Sequence, residues 1–335
     1  MYDKETMENL DLLKKNTSEV ITLDECRDLL SSNSEAYIGF EPSGLPHIAI
    51  LIYVNKLNEL VSLGLNVKIL LADWHARVND KFGGDINLIR ESGETLKKSM
   101  LYAGLSNDVK FLWATDLVSN PDYWELLLQT AKNSSLLRIR RSLPIMGRTE
   151  EDADKDFSKY IYPLMQVTDV FYLNSDIAIG GTDQRHAYML SRDIAEKMGR
   201  KKPVLLEMPL IASLKGKGRM DDFKKMSKSD PDSAIFLTDK EEDIRRKIKN
   251  AFCPMGIVEN NPIIDIIKYV IFPYYASEIE IKRPESHGGP YALHSFKELE
   301  SKYLNSEIHP MDLKKALTEI LINIILPVSN KLNSD

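Results

Sequence analysis

Residues 36–50 read Ala-Tyr-Ile-Gly-Phe-Glu-Pro-Ser-Gly-Leu-Pro-His-Ile-Ala-Ile. The run 36–40 is apolar and of strand type, Gly44 permits a tight turn, and Pro46 suits a first helical position with His47 in the first turn. A helical pattern then covers 46–63. A strand that turns directly into a helix aims free backbone N–H groups and a positive dipole end outward, which suits an anion, and His47 can donate to a phosphate oxygen. The same residues also make an ordinary strand–turn–helix with a surface histidine. The alternation repeats along the chain. The runs 67–72 (VKILLA), 109–114 (VKFLWA), 176–180 (DIAIG) and 204–208 (VLLEM) read as buried strands, with helical patterns at 85–104, 122–142 and 183–199. Apolar strands alternating with helices predict an α/β fold, a Rossmann-like parallel sheet covered on both faces. Ligands of such sheets sit beyond the carboxyl ends of the strands, so the loops after Phe40, Ala72 and Gly180 are where a site is expected.

The chain has 335 residues, 43% hydrophobic and 28% charged, which is ordinary globular usage and room for about two domains. A net charge of −6 excludes a general polyanion binder, so DNA is not expected and any RNA contact must come from local basic patches. Cys26 and Cys253 are too few and too far apart for a disulfide scaffold or a cysteine-rich zinc site, and point to a reducing compartment. The acidic N-terminal stretch lacks the apolar core of a signal peptide. The greasiest stretch, 320–328, is about half a membrane span. A cytoplasmic protein with no membrane contact is expected.

Three regions are expected. Residues 1–35 read as two short polar helices, with Thr22 as an N-cap. Residues 36–237 form the sheet domain. Residues 238–335 form a helical domain. The last opens with a capping-box pattern at Thr238 and Glu241, acids preceding bases along the helix. Later, Pro310 opens a helix whose apolar face (Leu313, Ala316, Leu317, Ile320, Leu321, Ile324, Ile325) runs to Pro327.

A second phosphate-type motif lies at 224–229, Lys-Lys-Met-Ser-Lys-Ser, in a loop (214–230) that contains Gly216 and Gly218. Lysine ammonium groups there can close on a pyrophosphate as its charge builds, and one such preorganised donor is worth about 3 kcal/mol. A solvated basic loop is the plain alternative. With the degenerate His47-Ile48-Ala49-Ile50, this motif resembles the signatures of class I aminoacyl-tRNA synthetases. The stretches YIGFEPSG (37–44), LLADWHA (70–76), YPLMQVTD (162–169), GGTDQRHAYMLSRD (180–193) and HPMDLK (309–314) resemble the tyrosyl-tRNA synthetases of archaeal and eukaryotic type, over about residues 10–332.

That resemblance implies synthesis of tyrosyl-adenylate from L-tyrosine and ATP, then transfer to tRNA(Tyr), a helical anticodon-binding domain, and a homodimer built through an insertion at about 120–158. It implies that Tyr37 and Asp169 hold the substrate phenol, that Tyr162, Gln166 and Gln184 hold its α-amino group, and that Glu41 lies nearby. Asp183 is implied at the ATP ribose, and His47, Lys225, Met226, Ser227 and Lys228 at the rest of ATP, with His47, Lys225 and Lys228 catalytic. Mg²⁺ is expected on the phosphates rather than in a dedicated protein cage. Arg141, in a stretch (132–148) with five basic residues and no acid, and Arg185 match residues that read the first base pair of the acceptor end. His287 and Asp312 match anticodon-reading positions. His75 and His186 read either as supports behind the site or as structural residues, the structural reading being favoured. Ala49 and Ile50 depart from the His-Ile-Gly-His pattern, which shifts the expected burden of activation to the lysines. A tryptophan-specific relative, a small nucleotidyltransferase and a catalytically silent RNA-binding paralogue are the competing readings; the Tyr37/Asp169 pair, the lysine loop and the helical tail disfavour them.

Overall fold

The computed structural model describes residues 4–30, 33–216, 225–227 and 230–334. The chain divides into two compact units. One comprises residues 1–43, 56–97 and 105–209; the other comprises 44–55, 98–104 and 210–335.

The first unit is built on six strands: β1 (Glu19–Ile21), β2 (Glu35–Phe40), β3 (Asn66–Leu71), β4 (Lys110–Trp113), β5 (Ile177–Gly181) and β6 (Val204–Met208). Their order is β1-β6-β5-β2-β3-β4. All neighbours are parallel except β1, which runs antiparallel to β6 along one edge. The five apolar runs are thus the five parallel strands, and the N-terminal region adds an edge strand between its helices Lys4–Lys14 and Leu23–Leu30. β5 and β6 are buried at every residue, which is why they read as unbroken apolar runs instead of alternating ones. Because β2 lies beside β5, the strand order reverses between them, and their carboxyl ends mark the crevice where doubly wound sheets bind ligands.

The helical patterns resolve into shorter pieces. The stretch 122–142 becomes Pro121–Asn133 and Leu136–Ser142, because Ser135 breaks in with an extended backbone and caps the second helix by accepting from the Arg138 N–H. The helix expected from residue 46 begins at Ile50.

In the second unit, helix Glu241–Asn250 packs on the long helix Pro310–Leu332. A hairpin of β7 (Ile279–Ile281) and β8 (Tyr291–Leu293) accompanies them. The capping box at Thr238 does not form. Lys240 occupies the cap position with no side-chain cap, while the Thr238 carbonyl accepts from Ser329 Oγ at 3.1 Å. Nor does the last helix stop at Pro327. Leu313, Leu317, Leu321 and Ile325 are fully buried, and Val328 and Ser329 continue that face beyond the proline. Packing there outweighs the hydrogen bond that Pro327 cannot donate. Lys314, buried on the same helix, donates to the carbonyls of Lys249 (3.0 Å) and Ala251 (2.6 Å), so its charge sits at the C-terminus of helix Glu241–Asn250.

The edge strand β1 is fastened through charge. Glu19 lies opposite Glu207 of β6, and Arg185 Nε is 3.2 Å from a carboxylate oxygen of each. Burial pushes Glu207 up to about 7, against the pull of Arg185. Between the ordinary carboxylate range and that value, the folded chain holds a proton the unfolded chain has released. Stability therefore falls as pH rises through this window. Glu207→Gln is expected to flatten the loss of stability from about pH 5 to about pH 8, read as urea midpoints; a variant with the slope of the parent would contradict the assignment.

Candidate active site

Within the first unit, side chains from β2, β5 and the surrounding helices converge at the carboxyl rim of the sheet. Tyr37 and Gly39 share a face of β2. A Cβ on Gly39 would fall 2.7 Å from the Tyr37 hydroxyl, so glycine is what allows the Tyr37 ring to lie along its own strand. Gly180 on β5 does the same for Tyr188, whose ring would meet a Cβ there at 2.6 Å. Helix Ser158–Tyr172, buried almost throughout, carries Tyr162, Gln166 and Asp169 at spacings of four and three, hence on one face.

Asp169 is 1% exposed. Its Oδ1 accepts from the Tyr123 hydroxyl at 2.7 Å. The Tyr37 hydroxyl donates to Oδ2 over a long 3.4 Å, and His75 Nε2 lies 3.0 Å from the same oxygen. Burial, with the Asp169 charge beside them, pushes the Tyr37 and Tyr123 phenols well above their usual range and keeps both as neutral donors. Burial opposes a charged His75, yet the Asp169 carboxylate carries its pKa above the ordinary imidazole value. The His75 ring stands edge-on to Tyr162, centroids 5.2 Å apart.

A second cluster forms around Glu41. Its Oε2 accepts from the Tyr162 hydroxyl at 3.0 Å, and Asn79 Nδ2 donates to Oε1 at 3.0 Å and to the Met146 carbonyl at 3.1 Å. Arg148 grips Asn79 from behind, Nε on Oδ1 at 2.8 Å and Nη2 on the backbone carbonyl at 2.7 Å. Gln166 Nε2 donates to Gln184 Oε1 at 3.2 Å, and Gln184 in turn donates to the Ile145 carbonyl at 3.1 Å. Tyr37, Glu41, Tyr162, Gln166, Asp169 and Gln184 are therefore brought together as anticipated. Asp183 lies in the 3₁₀ turn Thr182–Gln184, directly after β5.

Tyr123, Asn79 and Arg148 escaped sequence reasoning, and His75 was read as structural. Tyr123 reaches Asp169 across 46 residues of chain and Arg148 reaches Asn79 across 69, distances over which local pattern carries no signal. Only His75 and Asn79 had a signal, since both follow Ala72, one of the loops singled out at the sheet rim.

The two phosphate-type motifs belong to the second unit. His47 is not in a helical turn: it forms an antiparallel bridge with Phe236. The Ile48 N–H donates to the Ile235 carbonyl at 2.8 Å and the Leu237 N–H to the Pro46 carbonyl at 2.9 Å. Those bonds hold 46–48 extended, and the helix starts after them. Ile50, in place of the motif's second histidine, is buried. Lys225 bridges to Ala212, Met226 is buried, and Ser227 N–H donates to Ser233 Oγ at 3.2 Å. Lys228 lies outside the described residues, as do Lys224 and Ser229.

Of the positions matched to RNA contact, Arg141 is exposed on helix Leu136–Ser142, while Arg185 is engaged with Glu19 and Glu207. His287 ends the 3₁₀ turn Glu285–His287. Asp312 lies in the first turn of helix Pro310–Leu332, with Oδ1 3.9 Å from Lys315 Nζ.

Comparison with known proteins gives the family. Residues 31–325 match the family described as tRNA synthetases class I (W and Y). The chain belongs to that family. It is 62% identical over 330 residues to a tyrosine--tRNA ligase of Picrophilus torridus, covering 98% of this chain and 100% of the relative. A crystal structure of tyrosyl-tRNA synthetase from Aeropyrum pernix superposes with a TM-score of 0.89 at 41% identity, covering 99% of this chain and 96% of that one. One from Archaeoglobus fulgidus, complexed with L-tyrosine, gives 0.88 at 36% identity, covering 98% and 99%.

In this synthetase, Asn79 links Glu41, Arg148 and the Met146 carbonyl. Asn79→Ala removes the amide that Glu41, half-buried, and Arg148 Nε share, and is expected to destabilise the fold by about 2 kcal/mol, measured by chemical denaturation. An unchanged midpoint would show that the network is not coupled through Asn79.

Proposed function

We propose that this chain joins L-tyrosine to tRNA(Tyr). The tyrosine carboxylate attacks the α-phosphate of ATP, forming tyrosyl-adenylate as pyrophosphate leaves. The terminal adenosine hydroxyl of tRNA(Tyr) then takes the tyrosyl group, and AMP leaves. Neither step needs a side-chain nucleophile, so the work is positioning and charge stabilisation. The observation that carries this reading is Asp169, a buried carboxylate surrounded by phenol and imidazole groups. It can accept a hydrogen bond from a substrate hydroxyl and would be left short of a partner by phenylalanine.

In this reading Tyr37 and Asp169 meet the phenol. Tyr162, Gln166 and Gln184 meet the α-amino group. Glu41 holds the Tyr162 hydroxyl as its donor partner, leaving the lone pairs of that oxygen for the ammonium. Asp183 accepts from the ribose of ATP. His47, Lys225, Met226, Ser227 and Lys228 serve the rest of the nucleotide, with His47, Lys225 and Lys228 stabilising the charge that develops on the phosphates. Mg²⁺ is proposed to arrive on the phosphates of ATP, held mainly by phosphate oxygens and water.

For tRNA, Arg141 and Arg185 are the proposed acceptor-end contacts, and His287 and Asp312 the anticodon contacts. A second copy of the chain is the proposed cover for Trp124, Leu128, Leu136, Leu137 and Phe157, large apolar side chains left exposed along 121–157. Among the described residues no helix is long and apolar enough to cross a membrane; the cytoplasm is the proposed site of action.

Exchange of pyrophosphate into ATP, run separately with tyrosine, phenylalanine and tryptophan, is expected to respond to tyrosine. A response to tryptophan instead, or to none of the three, would overturn the reading. Asp312→Ala is expected to raise the KM for tRNA(Tyr) by about tenfold, the scale of one lost polar contact, while leaving tyrosine-dependent exchange unchanged; loss in the exchange step alone would remove Asp312 from the RNA side.

A further inference from the structure

Asp169 cannot be understood without the ring beside it. Its carboxylate is shut away from water, and an isolated ion there costs several kcal/mol. Tyr123 takes Oδ1 with a short 2.7 Å hydrogen bond. Oδ2 is less well served, because the Tyr37 hydroxyl stands off at 3.4 Å. His75 Nε2 is nearer, at 3.0 Å. The His75 side chain is itself only 3% exposed. A buried imidazole this close to a carboxylate oxygen can act on it through charge.

We propose that His75 is a specificity-positioning residue, whose ring, packed against Oδ2, holds the Asp169 carboxylate in place with Oδ2 available as an acceptor, and so sets the preference for a substrate bearing a phenolic hydroxyl over one without it.

This rests on the reading that Asp169 meets the substrate phenol. A protonated Asp169 would offer a donor where the substrate hydroxyl needs an acceptor, and the two would compete for one orientation. A positive charge against Oδ2 favours the ionised form. The direction of the His75 shift, above the ordinary imidazole range in spite of burial, agrees with the geometry. The other groups facing the pair are accounted for. Glu41, beyond β2, and Asp73, at the start of helix Asp73–Val78, add negative charge toward His75. Tyr162 stands edge-on to its ring. Tyr37, Tyr123 and Tyr188 surround Asp169 as phenols that burial holds neutral. No second cation faces Asp169 in this set.

The test is pyrophosphate exchange by the full chain with tyrosine and with phenylalanine, for the parent, His75→Phe and His75→Gln. His75→Phe removes both charge and donor; His75→Gln keeps a neutral donor. In His75→Phe the ratio of kcat/KM for tyrosine to that for phenylalanine is expected to fall by about tenfold or more, the scale of a charge-assisted contact, with His75→Gln between it and the parent. Parallel losses with both amino acids would make His75 structural only and overturn the proposal. If His75→Phe does not fold, His75→Gln carries the readout. A parent with no tyrosine-dependent exchange would instead sink the function on which the proposal stands.

Discussion

A carboxylate removed from water is the most demanding group in the sheet unit, and much of the architecture around the site follows from satisfying one. Asp169 draws on Tyr37 from β2, Tyr123 from helix Pro121–Asn133 and His75 from helix Asp73–Val78. A hydrogen bond to a charged group contributes roughly 1.5–3 kcal/mol, while leaving such a group short of partners costs at least as much. The two phenol donors and the imidazole therefore fix helix Ser158–Tyr172 against the sheet as much as they shape a pocket. The glycines belong to the same requirement. Without the bare backbone of Gly39 the Tyr37 ring could not lie along its strand, and without Gly180 the Tyr188 ring could not close the other side. Small residues on two adjacent strands give the space that aromatic donors fill.

The second unit solves a similar problem for a different end. Asp239 is buried, and burial raises its carboxyl above the usual range. Lys247 answers it with contacts of 2.9 and 2.7 Å to the two oxygens, and lies over the Phe236 ring at 4.6 Å. The same carboxylate accepts from the Phe236 N–H at 2.9 Å. Phe236 is the residue that bridges to His47. A buried ion pair thus anchors the short extended segment that in turn holds His47 out of the helix. Placing an imidazole on a backbone bridge fixes it more closely than a fraying first helical turn would, because both of its chain neighbours are hydrogen-bonded across.

What was legible in the sequence was what local pattern encodes. The five parallel strands were readable from their apolar runs, most plainly β5 and β6, which are buried at every residue and so unbroken in apolar character. Tyr37, Tyr162, Gln166, Asp169 and Gln184 were placed together through motif resemblance, and the folded chain does gather them. Helix Ser158–Tyr172 was not readable as a helix. It is buried on nearly every side, so it has no polar face to set a 3.6-residue period, and Pro163 within it looks like a terminator. The end of helix Pro310–Leu332 was misjudged for a related reason: propensity says stop at Pro327, and tertiary burial of Val328 and Ser329 overrides it. The capping box failed because the helix begins only at Glu241, with Lys240 and not Thr238 in the cap position.

The partners of Asp169 also determine how such a site could change its preference. On the proposed reading, Oδ1 is committed to Tyr123, leaving Oδ2, Tyr37 and His75 as the face a substrate hydroxyl would meet. These groups share one carboxylate, so their contributions cannot add independently. Replacing Asp169 alone would leave the Tyr123 hydroxyl only its longer contact to the Met165 carbonyl, at 3.3 Å, and the His75 ring without its facing carboxylate; replacing His75 alone would leave an uncompensated buried anion. A pocket for a hydroxyl-free side chain is reached only by changing the carboxylate and its neighbours together, toward an apolar set of similar volume. The discrimination is thus a property of the cluster. Its strength comes from how badly each remaining member is served when one partner is missing, more than from the strength of any single contact with the substrate.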